Sequence, residues 1–336
     1  MWFWFLLFAL FPRSIAVSTC SMIAPVSRLG SRFPVLCPSR LELSGPLLGL
    51  VRLADLQPAE ECSPSRVRAL SRQLNRDGYL ANPLIVSRVG RRFLLLEGVH
   101  RLECLRAAGC SHALVDFVPL EDSRRMEIET WFHIASVHDV TQWLAEACVS
   151  GLELQAVAPA TAEARVRSGR AAAWLCTFDA SGCRAWSVAS GAWEHASAQQ
   201  SLAGLYRPVR LGAADLPCCA QRLEGVFAAY PQANLFVRFA RIGRDRLVRH
   251  AQTGERIPAE ILRIVVRRGR VLGANVPLEL LTDWVDDSTR ARWLARLEAR
   301  QPESYRGSFI VRDAEGTRRY EEPLFVYDRG IRPSAA

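Results

Sequence analysis

Lysine is absent. All 43 basic residues of the 336-residue chain are arginine. That excludes a P-loop lysine, a Schiff-base lysine and a catalytic amine. A phosphate would have to be held by arginine, by backbone N–H groups or through a metal. The 10 cysteines include no C-x-x-C pair, and two of them, Cys218 and Cys219, are adjacent. Neither a zinc framework nor a small disulfide scaffold follows from such spacing, so reduced thiols are expected. His112, His138, His195 and His250 fit no metal-binding spacing either. Long apolar runs are also missing. The opening MWFWFLLFALF is about 11 residues, too short to span a bilayer, and no basic segment precedes it as in a signal peptide. No stable membrane span is expected, and a cytoplasmic location is. The net charge is +9. The arginines are scattered, however, without a basic run interleaved with aromatics, so nucleic acid is not expected as a partner.

What is present is the patterning of a globular chain, with 49% hydrophobic residues. Residues 1–45 carry Pro, Ser and Arg without a period and read as a disordered leader. From residue 46 the signals sharpen. Leu48 to Leu53 offers a strand. Ser63 and Pro64 start a helix with Val67, Leu70 and Leu74 on one face, and Gly78 stops it. Leu84 to Ser87 and Phe93 to Leu96 flank a turn at Val89-Gly90-Arg91, as in a hairpin. His100 to Ala108 reads as a helix closed by Gly109, and HALVDFV supplies another strand. MEIETWFHIA reads as one strand leaving this module. VTQWLAEACVSGL reads as a helix, and AAAWLCTFDASGCRAWSV as a hairpin turning at Asp179-Ala180-Ser181-Gly182. Residues 195–250 read as mostly amphipathic helix interrupted by YRPVRL and YPQANLFVRF, DDSTRARWLARLEAR as a surface helix, and the tail as a hairpin around Ala314-Glu315-Gly316. The fold class expected is mixed α/β (α+β). Its parts are a compact mixed α/β module over 46–135, a second mixed domain over 136–300 and a tail over 301–336.

The stretch LLLEGVHRLECLRAAG places Glu97, Gly98, Val99, His100 and Arg101 where a buried strand meets a helix. Gly98 permits a positive φ or a close backbone approach. The free N–H groups of the helix start favour an anion, typically a phosphate. Arg101 suits bidentate phosphate binding, and Glu97 suits Mg²⁺ or a hydroxyl. A bland alternative remains open: Arg101 pairs with Glu97 or Glu103 on a surface turn, and His100 caps the helix.

The same stretch resembles the strand–D-G-x-H-R–helix signature of the ParB/sulfiredoxin-like superfamily. Val99 stands where sulfiredoxins carry their cysteine, so that chemistry is not implied. LQPAEECSPSRVRALSRQL, LANPLIV, IETWFH and GERIPAEILRIVVRRGRVLG are similar to segments of the free L-serine kinase branch, in the same order, over residues 46–285. The resemblance implies phosphoryl transfer from ATP or ADP, with Mg²⁺, to the hydroxyl of L-serine. It implies Glu60 as the catalytic base and Gly98, Val99, His100 and Arg101 at the nucleotide. It further implies Trp131 and Arg263 at the substrate and Glu97 at the metal, with His133 a neighbour. Four positions depart from the pattern: Glu97 replaces Asp, Ala59 a His, and Leu262 and Ile264 the Thr and His that flank Arg263. The alternative is a ParB-like nucleotide-binding regulator or DNA-binding protein without kinase activity. That would call for a basic recognition helix after the module, where VTQWLAEACV has no basic residue.

Overall fold

Sheet order shows how the chain brings distant segments together. The computed structural model describes residues 45–179, 182–189, 195–211, 223–313 and 316–335. Residues 1–44, and with them the expected leader, lie outside that set, as do the centres of the two expected turns at 180–181 and 314–315.

The first part runs β1 (Leu48–Arg52), β2 (Leu56–Pro58), α1 (Pro64–Asp77), β3 (Tyr79–Leu80), β4 (Leu84–Val89), β5 (Arg92–Glu97), α2 (Val99–Ala107) and β6 (His112–Phe117). The α1 boundaries follow from local chemistry. Ser63 stands at its N-cap, Pro64 occupies the first helical position, and Gly78 closes it at φ 74°. β4 and β5 form the hairpin written in the sequence. The sheet order is β1-β6-β4-β5-β2. β4 pairs with β6 and β2 with β5 in parallel, and the remaining pairs are antiparallel.

The middle part runs β7 (Glu127–Thr130), β8 (Phe132–Ala135), α3 (Val140–Val149), β9 (Leu154–Val157), α4 (Pro159–Arg167), β10 (Ala171–Asp179), β11 (Gly182–Ala189), α5 (His195–Gly204), β12 (Val209–Leu211), α6 (Leu223–Ala229), β13 (Leu235–Phe239) and α7 (Arg244–Thr253). Six of its strands build an antiparallel sheet in the order β12-β8-β13-β10-β11-β9. One sequence expectation changes here. The single strand expected over MEIETWFHIA is two strands broken at Trp131, one in each of two sheets. The two interruptions expected in the helical region over 195–250, YRPVRL and YPQANLFVRF, hold the strands β12 and β13. A nearly continuous apolar run makes β13 an inner strand, with Leu235, Phe236, Val237 and Phe239 buried.

The last part runs β14 (Leu262–Val265), β15 (Arg270–Leu272), β16 (Val276–Pro277), α8 (Asp287–Ala299), β17 (Glu303–Tyr305), β18 (Phe309–Asp313), β19 (Gly316–Tyr320), β20 (Leu324–Val326) and β21 (Ser334–Ala335). It folds back on the earlier parts. β14 pairs with β7 and β16 with β3. Val271, Val276, Leu281, Leu294 and Leu297 share an apolar core with Leu50, Leu84, Leu95 and Leu114 of the first sheet and Leu102 of α2. α8, expected as a surface helix, thus buries one face, including Arg290, Leu294 and Leu297. A second core lies under the six-stranded sheet and reaches Ala59 and Ile257.

One buried ion pair fastens the β14–β15 turn to the first sheet. The Arg268 guanidinium bonds the Asp116 carboxylate and the Phe117 carbonyl. Removing one partner of a buried pair strands the other charge. Arg268→Met is expected to cost about 3–5 kcal/mol, read as a lower urea midpoint at an unchanged slope.

Candidate active site

The segment after β2 and the loop before β14 are stitched together. The Glu61 amide donates to the Ile257 carbonyl (2.8 Å), and the Ile257 amide donates to the Ala59 carbonyl (2.8 Å). Between these two bonds sits Glu60, bridged in parallel to Ile257. Its carboxylate oxygen Oε1 accepts from the Leu262 amide at 2.9 Å. Burial pushes the Glu60 carboxyl up to about 8, against the Leu262 amide and the Arg210 charge, which pull it down. Near neutral pH Glu60 therefore carries its proton.

His100 faces the same place. Its Nε2 accepts from the Ser63 amide at 3.0 Å, three residues beyond Glu60, so the ring proton sits on Nδ1. Burial, with Arg66 and Arg210 nearby, lowers His100 to about 4. It is a neutral ring at the start of α2. Gly98 makes that start possible. It is the helix N-cap at φ 105°, and a Cβ there would lie 3.0 Å from Leu84 Cγ and 3.3 Å from the Arg101 guanidinium. The first N–H groups of a helix lack intrahelical partners, so the turn 98–101 can receive an anion. Val99 is buried and brings only its backbone.

Arg101 behaves differently from the expectation of a phosphate grip. Its guanidinium is buried, and Nη1 donates to the carbonyls of Asn82 and Pro83, both at 2.8 Å. Nη2 lies 3.8 Å from Glu97 Oε1. The fork is spent on holding the loop that feeds β4, because those carbonyls have no strand partner to saturate them. Glu97 is also occupied: Arg270 Nη1 donates to it at 2.7 Å. Burial disfavours its charge, but Arg270 and Arg101 hold the carboxyl below its ordinary value. The space around these groups is about 10 Å³, room for at most one water.

Arg263, expected to bind a substrate carboxylate, is 5% exposed. It is held by Glu129 (3.0 Å) and Glu321 (2.9 Å). Both partners come from outside its own strand β14, so the sequence around Arg263 gives no hint that these donors are taken. Trp131 does stand at the site. Its amide donates to the Ile261 carbonyl, and two guanidinium carbons lie over its ring, those of Arg263 at 4.9 Å and Arg210 at 5.1 Å. His133 is structural in form. One ring nitrogen meets the Glu260 carbonyl and the other the Tyr206 hydroxyl, each at 2.8 Å, and burial lowers it to about 4.

Two groups escaped the sequence reading. Arg210, half-buried on the edge strand β12, makes no hydrogen bond or ion pair among the described residues, and its charge is felt at both Glu60 and His100. Glu260 sits two residues before β14 at φ 73°, a conformation that side-chain-bearing residues seldom adopt. Arg66 Nη1 bonds its Oε1 at 3.0 Å. An alternating R-P-V-R-L run was the available signal for Arg210. Nothing local marks Glu260.

No protein-family model matches the chain. The ATP-dependent L-serine kinase SbnI of Staphylococcus aureus is 24% identical over 258 residues, spanning 73% of this chain and 88% of that protein. Among solved structures, SbnI with a C-terminal truncation, from the same organism, aligns at a TM-score of 0.59 and 19% identity, covering 75% of this chain and 97% of that one. A free serine kinase bearing a glutamate-to-alanine substitution, in complex with ADP, aligns at 0.56 and 16%, covering 70% and 93%. These likenesses show a shared α+β fold.

The two depressed histidines set an acid limit. An unfolded chain protonates His100 and His133 near the ordinary histidine value of 6.5, whereas the folded chain resists until about 4. Stability is therefore expected to fall as pH drops from about 6.5 to about 4. NMR titration of the two rings should place both midpoints near 4, and thermal unfolding should track the loss.

Proposed function

We propose that this chain is a cytoplasmic small-molecule kinase that transfers a phosphoryl group from ATP or ADP to the hydroxyl of free L-serine, giving O-phospho-L-serine. The observation that carries the reading is the meeting of a raised carboxyl, Glu60, with the open start of α2 at Gly98–Arg101. The names of the similar proteins, an ATP-dependent L-serine kinase and a free serine kinase crystallised with ADP, support it. Among the described residues no helix is long and apolar enough to cross a membrane. In this reading residues 46–135 receive the nucleotide and carry Trp131, and 136–300 supply Arg210 and the loop that clasps Glu60.

The nucleotide phosphates rest on the backbone amides of Val99, His100 and Arg101, with the His100 Nδ1–H as a further donor. Arg101 contributes by fixing the turn. The serine hydroxyl lies against Glu60. As its oxygen bonds the terminal phosphorus, the bond from that phosphorus to the bridging oxygen of the nucleotide breaks. The hydroxyl proton passes to the Glu60 carboxylate. Such transfer is mostly positioning and charge stabilisation, which is what a rigid, desolvated site supplies.

Mg²⁺ is part of the proposal, but Glu97 does not fit the ligand role expected for it, since Arg270 and Arg101 already neutralise its carboxylate. Among the described residues no three His, Cys, Asp or Glu side chains gather into a metal site. A cation brought by the nucleotide would find its ligands chiefly in phosphate oxygens and water.

Incubation of the purified protein with Mg²⁺, ATP or ADP and L-serine should yield O-phosphoserine. Glu60→Gln is expected to lower kcat by about 10²–10⁴-fold while ADP still binds; equal turnover in both proteins removes the base assignment. Because Glu60 must be ionised to act, kcat/KM of the wild type should rise with pH through an apparent pKa near 8. Stability moves the other way. The folded state keeps a proton that the unfolded state loses near 4.5, so wild-type stability falls between pH 4.5 and about 8. Glu60→Gln lacks that decline, and the two melting curves should diverge toward alkaline pH.

A further inference from the structure

Near neutral pH the charges around Glu60 do not balance. Glu60 is protonated, and His100 and His133 are neutral. Arg66 and Glu260 form one ion pair. That leaves Arg210, a half-buried cation over the Trp131 ring with no hydrogen bond or ion pair among the described residues. A half-buried cation whose charge is met by Glu260 only at a distance, with no carboxylate bonded to it among the described residues, is a ready receptor for an anion. The Glu260 carboxylate is likewise only half used: Arg66 bonds Oε1, and Oε2 has no hydrogen bond among the described residues. Its backbone is held in the left-handed region at φ 73° while its carbonyl is fixed by His133. The Glu260 charge is felt at Glu60, whose carboxyl the Leu262 amide holds.

We propose that Arg210 and Glu260 are the specificity-determining pair of the acceptor site, Arg210 binding the α-carboxylate and Glu260 the α-ammonium of a free amino acid whose hydroxyl meets Glu60. The proposal rests on the kinase reading for the role of Glu60. It goes further in assigning the recognition of a zwitterion to two residues, neither of which lies at the Thr, Arg or His positions of the resembling segment. Leu262 and Ile264 are buried apolar residues and Arg263 is saturated, so the recognition those positions would provide has to come from elsewhere.

The test is binding, measured apart from turnover. L-Serine, ethanolamine (no carboxylate) and 3-hydroxypropionate (no ammonium) are titrated calorimetrically into the full-length chain. The wild type should bind L-serine roughly 10- to 100-fold more tightly than either analogue, the range for charge-assisted bonds. Arg210→Met should erase the preference over ethanolamine, and Glu260→Gln the preference over 3-hydroxypropionate, with ADP affinity unchanged in both as the control for folding. Equal binding of all three ligands by the wild type overturns the proposal without recourse to variants. So does a loss that falls on ADP rather than serine, which would make Arg210 a phosphate ligand. If serine binding follows the expected pattern but no O-phosphoserine forms, the kinase reading fails and the zwitterion pair stands. If O-phosphoserine forms while both variants bind serine as the wild type does, the pair fails and the reading stands.

Discussion

A hydrogen bond between residues 202 positions apart holds the site together: the Leu262 amide on the Glu60 carboxylate. With the two backbone bonds that join Ala59 and Glu61 to Ile257, it locks the exit of β2 against the entry of β14. Everything chemical hangs on that clasp. It buries the Glu60 carboxyl and so raises its affinity for a proton. It also places Glu260 and Trp131, whose amide bonds the Ile261 carbonyl, around one point. Bringing such distant segments together costs chain entropy. Ala59 and Ile257, both fully buried in the core beneath, offset that cost.

An arginine-only chain builds this kind of interior in a way lysine could not. Arg270 donates to Glu322 (2.6 Å), Glu97 (2.7 Å) and the Ile264 carbonyl (2.8 Å) at once. Arg263 spans Glu129 and Glu321. The fixed charge and planar fork of guanidinium allow several simultaneous bonds in a desolvated place, where an ammonium would shed its proton or leave donors unmet. Glu321 and Glu322, between β19 and β20, deliver carboxylates from the C-terminal strands to arginines behind the site. The last part of the chain therefore belongs to the site's support, and the positions of Arg263 and Arg270 depend on it.

The legible parts of the fold were those with local signals. Ser63-Pro64 and Gly78 fixed α1, Gly90 the β4–β5 hairpin, and Gly98 the start of α2, because caps and turns are decided within a few residues. Of the residues singled out in sequence, Glu60 and Trp131 are both tied to the 261–262 segment, through the Leu262 amide and the Ile261 carbonyl, and His100 bonds the Ser63 amide three residues after Glu60. What local patterning could not carry was which donors and acceptors are already spent. Arg101, Arg263 and Glu97 look free in sequence and are committed in space, to the Asn82 and Pro83 carbonyls, to Glu129 and Glu321, and to Arg270. Arg210 lies in YRPVRL, where the helical pattern is interrupted, and its guanidinium has no hydrogen bond or ion pair among the described residues. The break at Trp131 was invisible for a related reason. EIETWFHIA satisfies strand propensity throughout, and only pairing with β14 on one side and β13 on the other divides it.

The raised carboxyl explains why a proposed base belongs in a place that disfavours its charge. An ordinary glutamate, ionised from about pH 4.5 upward, is a weak proton acceptor for a hydroxyl, and it would also repel an incoming phosphate chain. A buried glutamate near 8 is protonated while the site is empty, so it adds no negative charge when the nucleotide approaches the start of α2. Once it does ionise, it holds a proton far more tightly than an exposed carboxylate, which is the property a general base needs late in a loose transfer. The amide of Leu262 sets the limit. It stabilises the ionised form enough to keep the group titratable near working pH, where full desolvation without that donor would leave it neutral throughout. Burial and one backbone N–H, pulling in opposite directions, thus tune a single oxygen atom to the chemistry proposed for it.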